Sequence, residues 1–214
     1  MGVLKGQSAL PEPLPRGRHK LSRADVRDSQ RRRLIEAMLD QVAKLGYPAT
    51  TVGDVVSAAR CSRNAFYELF EDKEACYIAA ADETGAEMLD ALVSAAERED
   101  TWLDALRSGT RSYLRWWVDH PRYAAAYLID LPTAGRRALD QRDRVYADFA
   151  AMFEGLAARA RAEQPLLPPL PALAPRLLVT AITELIAQEV RQGRVDELMG
   201  LEDELVRFIV KTLT

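Results

Sequence analysis

The chain has 214 residues, 48% apolar, 29% charged and 7% aromatic, with a formal charge of −3; this suits one folded body, or a small domain joined to a larger one, and excludes disorder for most of its length. No apolar run approaches the length of about 18 residues that a membrane span needs, and residues 1–20 lack the apolar stretch of a secretory signal, so a cytoplasmic protein without membrane contact is expected. Cys61 and Cys76 give no disulfide framework, and His19 and His120 have no metal-ligand spacing, so no metal site is expected.

Charge is unevenly spread. Residues 1–34 carry nine cations against Glu12, Asp25 and Asp28, a balance of +6 that leaves −9 on the other 180 residues. A basic arm that meets a polyanion, on an acidic body that does not, is one reading; a solvated tail is the other. Residues 1–20, with Pro11, Pro13 and Pro15 and no apolar period, are expected to be flexible.

From Ser22 the pattern changes. Leu34, Ile35, Met38, Leu39, Val42 and Leu45 recur at three- and four-residue steps, which predicts a helix ending at Gly46 with Lys44 in its last turn. Thr50 or Thr51 caps a short helix carrying Val52, Val55, Val56 and Ala59. Ser62 caps a third helix over 63–70, with Phe66 and Phe70 on one face. A long alanine-rich helix then runs from Lys73 to about Glu97, with Tyr77, Ile78, Ala81, Met88, Leu92 and Ala95 inward. Strand signals do not occur, so the chain reads as all-α.

Three helices with a tight turn before a short third one form a helix-turn-helix arrangement. The stretch from Gly46 to Val55, followed by Ala58 to Glu74, holds Gly46, Thr51, Ser62, Phe66-Tyr67, Phe70 and Lys73-Glu74 in order and without gaps. It resembles the N-terminal DNA-binding domain of the TetR family of bacterial transcriptional regulators. Arg60-Cys61 stands where that family often has glycine, and Glu68-Leu69 where it often has a His-Tyr pair; both departures bear on base preference, not on fold. The resemblance implies a flexible basic arm over 1–21, a DNA-binding domain over 22–75 and a larger effector-binding and dimerising body over 76–214.

A recognition helix enters the major groove by its N-terminal residues, here Ser62, Arg63 and Asn64. Arg63 suits a bidentate pair to guanine or a phosphate contact, and Asn64 a pair to adenine. Tyr67 can reach a phosphate while Phe66 points into the core. Thr51 opens a helix whose free N–H groups suit a phosphate, and the resemblance makes Lys73 a backbone clamp. Arg16, Arg18 and Lys20 of the arm suit a minor groove. Helical spacing lets at most one or two of Arg31, Arg32 and Arg33 face the duplex. Glu68 either faces away or accepts from cytosine, and Cys61 reads as a small packed contact.

Further on, Asp100 is expected to cap a helix through Val118, with Trp102, Leu106, Tyr113, Leu114 and Trp117 inward. Pro121 starts a helix to Ile129, residues 131–135 form a loop, and a long helix spans about 136–162. After the proline-rich stretch from Pro165 to Pro175, the next helix is apolar on nearly every side and must be covered all round. It and the last segment, Leu201 to Leu213, are expected to meet their counterparts in a second subunit across a two-fold axis. Such a homodimer presents two recognition helices to successive major grooves of a pseudo-palindromic double-stranded operator.

The resemblance also implies a ligand cavity in the body. Its candidate lining is Trp102, Tyr113, Trp117, Tyr123, Tyr127, Phe149, Met152 and Phe153, and its candidate effector is an apolar or aromatic small molecule. No nucleophile–base pair, paired carboxylates or phosphate loop is visible, so neither an enzymatic activity nor a cofactor is expected. The expected function is a dimeric repressor released from its operator by the effector. The alternative is a helical interaction protein with a basic end and no sequence-specific DNA binding.

Overall fold

The structure, a computed structural model, describes residues 22–214. Arg16, Arg18 and Lys20 therefore lie outside the described residues. Among those described there are nine α-helices and no strand. Three of them form the head: α1 (Arg23–Leu45), α2 (Val52–Ala59) and α3 (Arg63–Tyr67). The body follows as α4 (Lys73–Ala96), α5 (Trp102–Asp119), α6 (Pro121–Ala124), a π-helical turn (Ala125–Asp130), α7 (Arg136–Glu163), α8 (Ala174–Arg191) and α9 (Glu202–Leu213).

Helix starts are written in short polar caps. Ser22 and Asp25 bond each other's backbone N–H at 3.1 and 2.9 Å, and Thr51 and Asp54 repeat the arrangement at 3.2 and 2.9 Å. Ser62 and Asp72 cap α3 and α4 by accepting from Ala65 N and Ala75 N. The cap of α5 is Thr101 rather than the expected Asp100, because the Thr101 hydroxyl reaches both Asp104 N, from which it accepts, and the Asp104 carboxylate, to which it donates. Gly46 ends α1 at φ +79, a conformation that suits glycine. At the end of α2 the left-handed position is held by Arg60, at φ 51, where the related family often has glycine.

Two expected elements differ. The third helix stops at Tyr67, not Phe70, since Leu69 N and Phe70 N both turn back to the Phe66 carbonyl. The helix expected from Pro121 to Ile129 keeps α geometry for only one turn before widening into the π turn, and a 3-10 turn over Leu131–Thr133 occupies part of the expected loop.

One apolar cluster runs through both parts, from Leu34 and Phe66 in the head to Leu178, Ile186 and Leu213 in the body. The boundary expected between residues 75 and 76 falls inside the first turn of the unbroken α4. Polar ties fasten the same junction. Arg33, buried in the core, donates to the Ala59 and Arg60 carbonyls at 2.8 and 3.4 Å and so closes the C-terminal end of α2. Asp40 on α1 accepts from Lys44 and from Arg122 on α6. Burial alone would raise the Asp40 carboxyl, but those two cations outweigh it and hold it below its ordinary value.

Tyr47 gathers the most ties. Its N–H donates to Asp130 Oδ1 at 3.0 Å, at the end of the π turn, and its carbonyl accepts from Lys73 Nζ at 2.8 Å. Its ring lies between the Lys73 ammonium, 4.0 Å from the centroid, and the ring of Tyr77 at 4.9 Å. Tyr77 in turn donates to the Ala126 carbonyl on the π turn.

Replacing Arg33 by alanine leaves two α2 carbonyls without their donor and should lower the unfolding free energy by about 2 kcal/mol, the usual scale for a lost charge-assisted bond, measured by urea denaturation. The Tyr47 phenol is pushed up to about 12, chiefly by burial and then by the carboxylates of Glu74 and Asp72. The unfolded phenol releases its proton near 10, so between 10 and 12 the folded chain binds more protons and stability falls as pH rises through that window. Urea unfolding across that range should show this fall, less steep in Tyr47→Phe.

Candidate nucleic-acid interface and ligand cavity

Helix α3 shows two faces. Ala65 and Phe66 are buried against the head, while Ser62, Arg63, Asn64 and Glu68 are exposed and Tyr67 is 56% exposed. The Tyr67 ring stands edge-on to Phe66, with centroids 5.3 Å apart, so the buried ring supports the exposed one. Among the described residues no ion pair engages Arg63 or Glu68, and no side-chain hydrogen bond engages Asn64 or Tyr67. The face is polar, exposed and uncommitted, and Arg63, Asn64 and Tyr67 lie on it together.

Arg63 is held from behind. A Cβ placed on Gly53 of α2 would come within 3.3 Å of both Arg63 Nη2 and Thr51 Oγ1, so the absence of a side chain at residue 53 lets the guanidinium lie against the start of α2. Thr51 itself is exposed, and its hydroxyl donates to Asp54 at 2.6 Å. The expected neighbours behave differently. Lys73 Nζ is committed within the chain, donating to the Tyr47 and Thr50 carbonyls at 2.8 Å each, and burial lowers its pKa. Of the three consecutive arginines, Arg33 is buried, Arg31 pairs with Glu83 and lies over Phe70, and Arg32 is the exposed one. Cys61 is half-buried, and burial pushes its thiol up, away from the reactive thiolate.

The body encloses an apolar cavity of about 110 Å³ between α4, α5, the π turn, α7, α8 and α9. Tyr113, Trp117, Tyr127, Phe149, Met152 and Phe153 all line it. Trp102 and Tyr123 do not. Trp102 is buried beside Glu163, which accepts its backbone N–H at 2.8 Å, and Tyr123 stacks behind the wall between Trp117 and Tyr127 while donating to the Ala81 carbonyl. Sequence reading missed Met88 and Leu92 of α4, Tyr146 of α7, Val179, Ile182 and Thr183 of α8, and Leu205 and Ile209 of α9. Thr183 had a signal, as a polar residue within the apolar run of α8; its neighbour Glu184 is exposed and pairs with Arg191.

The outer side of α8 is less uniformly apolar than expected. Leu178, Val179, Ile182 and Ile186 are buried, but Leu177 is 64% exposed on a stripe shared with Thr180, Ala181, Glu184 and Gln188. On α9 Phe208 is 49% exposed, and Leu173 before α8 is exposed too. No described helix is long and apolar enough to cross a membrane, and no described group of acidic, cysteine or histidine residues could hold a metal ion.

Residues 34–80 match the family model described as bacterial regulatory proteins, tetR family. No curated protein matches the chain at a significant level. Among solved structures, the fatty acid degradation regulator FadR from Bacillus halodurans superposes with a TM-score of 0.75 at 16% identity, over 83% of this chain and 96% of that one. The transcriptional regulator FadR from Bacillus subtilis, solved in complex with stearoyl-CoA, gives the same four values. A tetR-family regulatory protein from Rhodococcus RHA1 follows at 0.68 and 19% identity, over 86% and 96%. Residues 34–80 thus resemble the tetR-family model, and the chain as a whole shares the fold of these structures.

Proposed function

We propose that this chain, which joins a tetR-family DNA-binding module to a TetR-type body, is a dimeric transcriptional repressor that leaves a pseudo-palindromic operator when an apolar effector fills its cavity. The observation that carries the reading is the α3 face: Arg63, Asn64 and Tyr67 are exposed and unpaired on a helix whose other side is buried, which is what a groove-reading helix needs. Arg63 reads guanine, Asn64 adenine, and Ser62, Thr51 and Tyr67 meet phosphates. Lys73 acts by pinning the start of α4 to the turn before α2. Arg16, Arg18 and Lys20 enter the adjacent minor groove.

Leu173 and Leu177 at α8, with Phe208 of α9, supply the apolar part of the seam with a second copy. The effector is an apolar molecule with an acyl portion; the wall of the cavity favours it, and the stearoyl-CoA bound to the Bacillus subtilis relative is of that kind. The site works in the cytoplasm and carries out no reaction. Its coupling is a population shift: Tyr127 lines the cavity and Asp130, on the same π turn, bonds Tyr47 of the head, so a ligand that displaces the turn changes the pose of the head.

Selection of duplexes from a random library, followed by gel shift, tests the reading: one enriched palindrome bound far more tightly than random DNA is expected, and equal affinity for both overturns it in favour of a basic interaction protein. In the same assay Arg63→Ala should relax preference at one base pair by roughly ten-fold or more, whereas Lys73→Ala should weaken every duplex alike. Asp130→Ala should bind operator within a few-fold of the parent but lose most of the effector's influence on that affinity; full retention of effector response would remove the π turn from the coupling route.

A further inference from the structure

We infer that the ligand is an amphiphile, an aliphatic chain bearing one carboxylate whose oxygens meet the Tyr127 hydroxyl and the Trp117 indole N–H, with Arg142 as the nearby counter-charge. This rests on the effector-bound reading above and names the chemical class of that effector.

The wall is almost entirely hydrocarbon, and its few polar atoms belong to Thr110, Tyr113, Trp117, Tyr127, Tyr146 and Thr183. Two of these atoms are anomalous. Tyr127 Oη is buried and has no hydrogen-bond partner, and Trp117 Nε1 is buried without one too, although the Tyr113 side chain lies close enough to act on it. Their rings are neighbours, with centroids 6.2 Å apart. An indole N–H can only donate, and burial raises the Tyr127 pKa, so the phenol keeps its proton and is a donor as well. A buried donor left unpaired costs about 1–3 kcal/mol, and folded chains seldom leave one without cause.

Two neighbouring phenols that do not line the cavity are satisfied by the backbone. Tyr123, stacked directly on Tyr127, faces away from the cavity and donates to the Ala81 carbonyl. Tyr77, buried at the head junction, donates to the Ala126 carbonyl. Of the phenols that line the cavity, Tyr113 and Tyr146 have the Thr183 side chain as a partner, and Tyr127 is the one left without any. The missing partner is therefore an acceptor brought by the ligand.

Charge narrows the acceptor further. Arg142 of α7 stands with its guanidinium 5.5 Å from the centroid of the Tyr146 ring, and its Nε is buried without a partner. Its positive charge acts on both the Tyr127 and Tyr146 phenols. Among the described residues no carboxylate pairs with it, whereas Glu184 nearby already pairs with Arg191 and Asp82 already accepts from Gln141. An unpaired guanidinium behind two unpaired donors favours an anionic head, and a carboxylate has one oxygen for each donor.

The test is direct binding to the full chain, followed by calorimetry and tryptophan fluorescence, with decanoate, methyl decanoate, decanoyl-coenzyme A and decyltrimethylammonium as probes. Decanoate should bind about ten-fold or more tightly than the ester or the cation, the scale of one charge-assisted bond. Tyr127→Phe should weaken decanoate about ten-fold, and Arg142→Gln should bring acid and ester to equal affinity. If Tyr127→Phe fails to fold, Arg142→Gln, at a half-buried residue beside the Tyr146 ring, still decides the matter. Ester or thioester binding as tightly as the acid in the parent overturns the carboxylate assignment, as does an unchanged decanoate affinity in both variants. Operator binding of the ligand-free protein is measured separately: if it binds operator and the ester releases it as well as the acid does, only this inference fails, whereas no operator binding fails the regulator reading itself.

Discussion

Tyr47 is the point through which head and body act on each other. Its backbone N–H and carbonyl are both spent on groups distant in sequence, Asp130 at the end of the π turn and Lys73 at the start of α4, while its ring fills the space between the Lys73 ammonium and Tyr77. Both backbone groups belong to the turn that a helix-turn-helix head needs between α1 and α2. The head therefore cannot set its own geometry without reference to the body. Gly46 adds to this, since a Cβ there would come within 3.3 Å of Asp130 Oδ1, at a φ of +79. The close approach of carboxylate and turn depends on the missing side chain.

The same π turn reaches in two directions. On one side Tyr127 forms part of the cavity wall; on the other Asp130 holds the head and the Ala126 carbonyl accepts from Tyr77. A π turn has one residue more per hydrogen-bonded loop than an α turn, and its geometry is correspondingly less well settled. Placing it between a cavity and a tie to the head puts a deformable element where the two parts meet. The turn itself packs on α1, α6 and α8 and the apolar cluster is continuous, so displacement of the turn is not dissipated in a loose linker.

Much of this was legible in the sequence where the determinants are local. Ser62, and Thr51 as one of two candidates, read as caps because they act within one turn of their own helices, and apolar periodicity shows which faces of α1, α5 and α9 turn inward. The exposed α3 residues followed from the same logic, as did six aromatic and methionine side chains of the cavity. What was hidden depends on partners far along the chain. Lys73 reads as a clamp on the DNA backbone until Tyr47 and Thr50 fold beneath it, and Arg33 as one of three equivalent arginines until the end of α2 arrives above it. Trp102 and Tyr123 have the right chemistry for a cavity wall, but depth and ring direction put them behind it. Periodicity also carries no mark of a change from α to π geometry, so the turn after Ala124 was invisible.

Gly53 carries a consequence for anyone wishing to exchange the exposed α3 face between proteins of this fold. The guanidinium of Arg63 lies where a Cβ on a residue ten positions earlier, on a different helix, would come within 3.3 Å of it. Transplanting the Ser62–Tyr67 segment alone would move the letters without the surface that aims them, and a bulkier host residue at 53 would tilt the guanidinium. The portable unit is the segment together with that empty site.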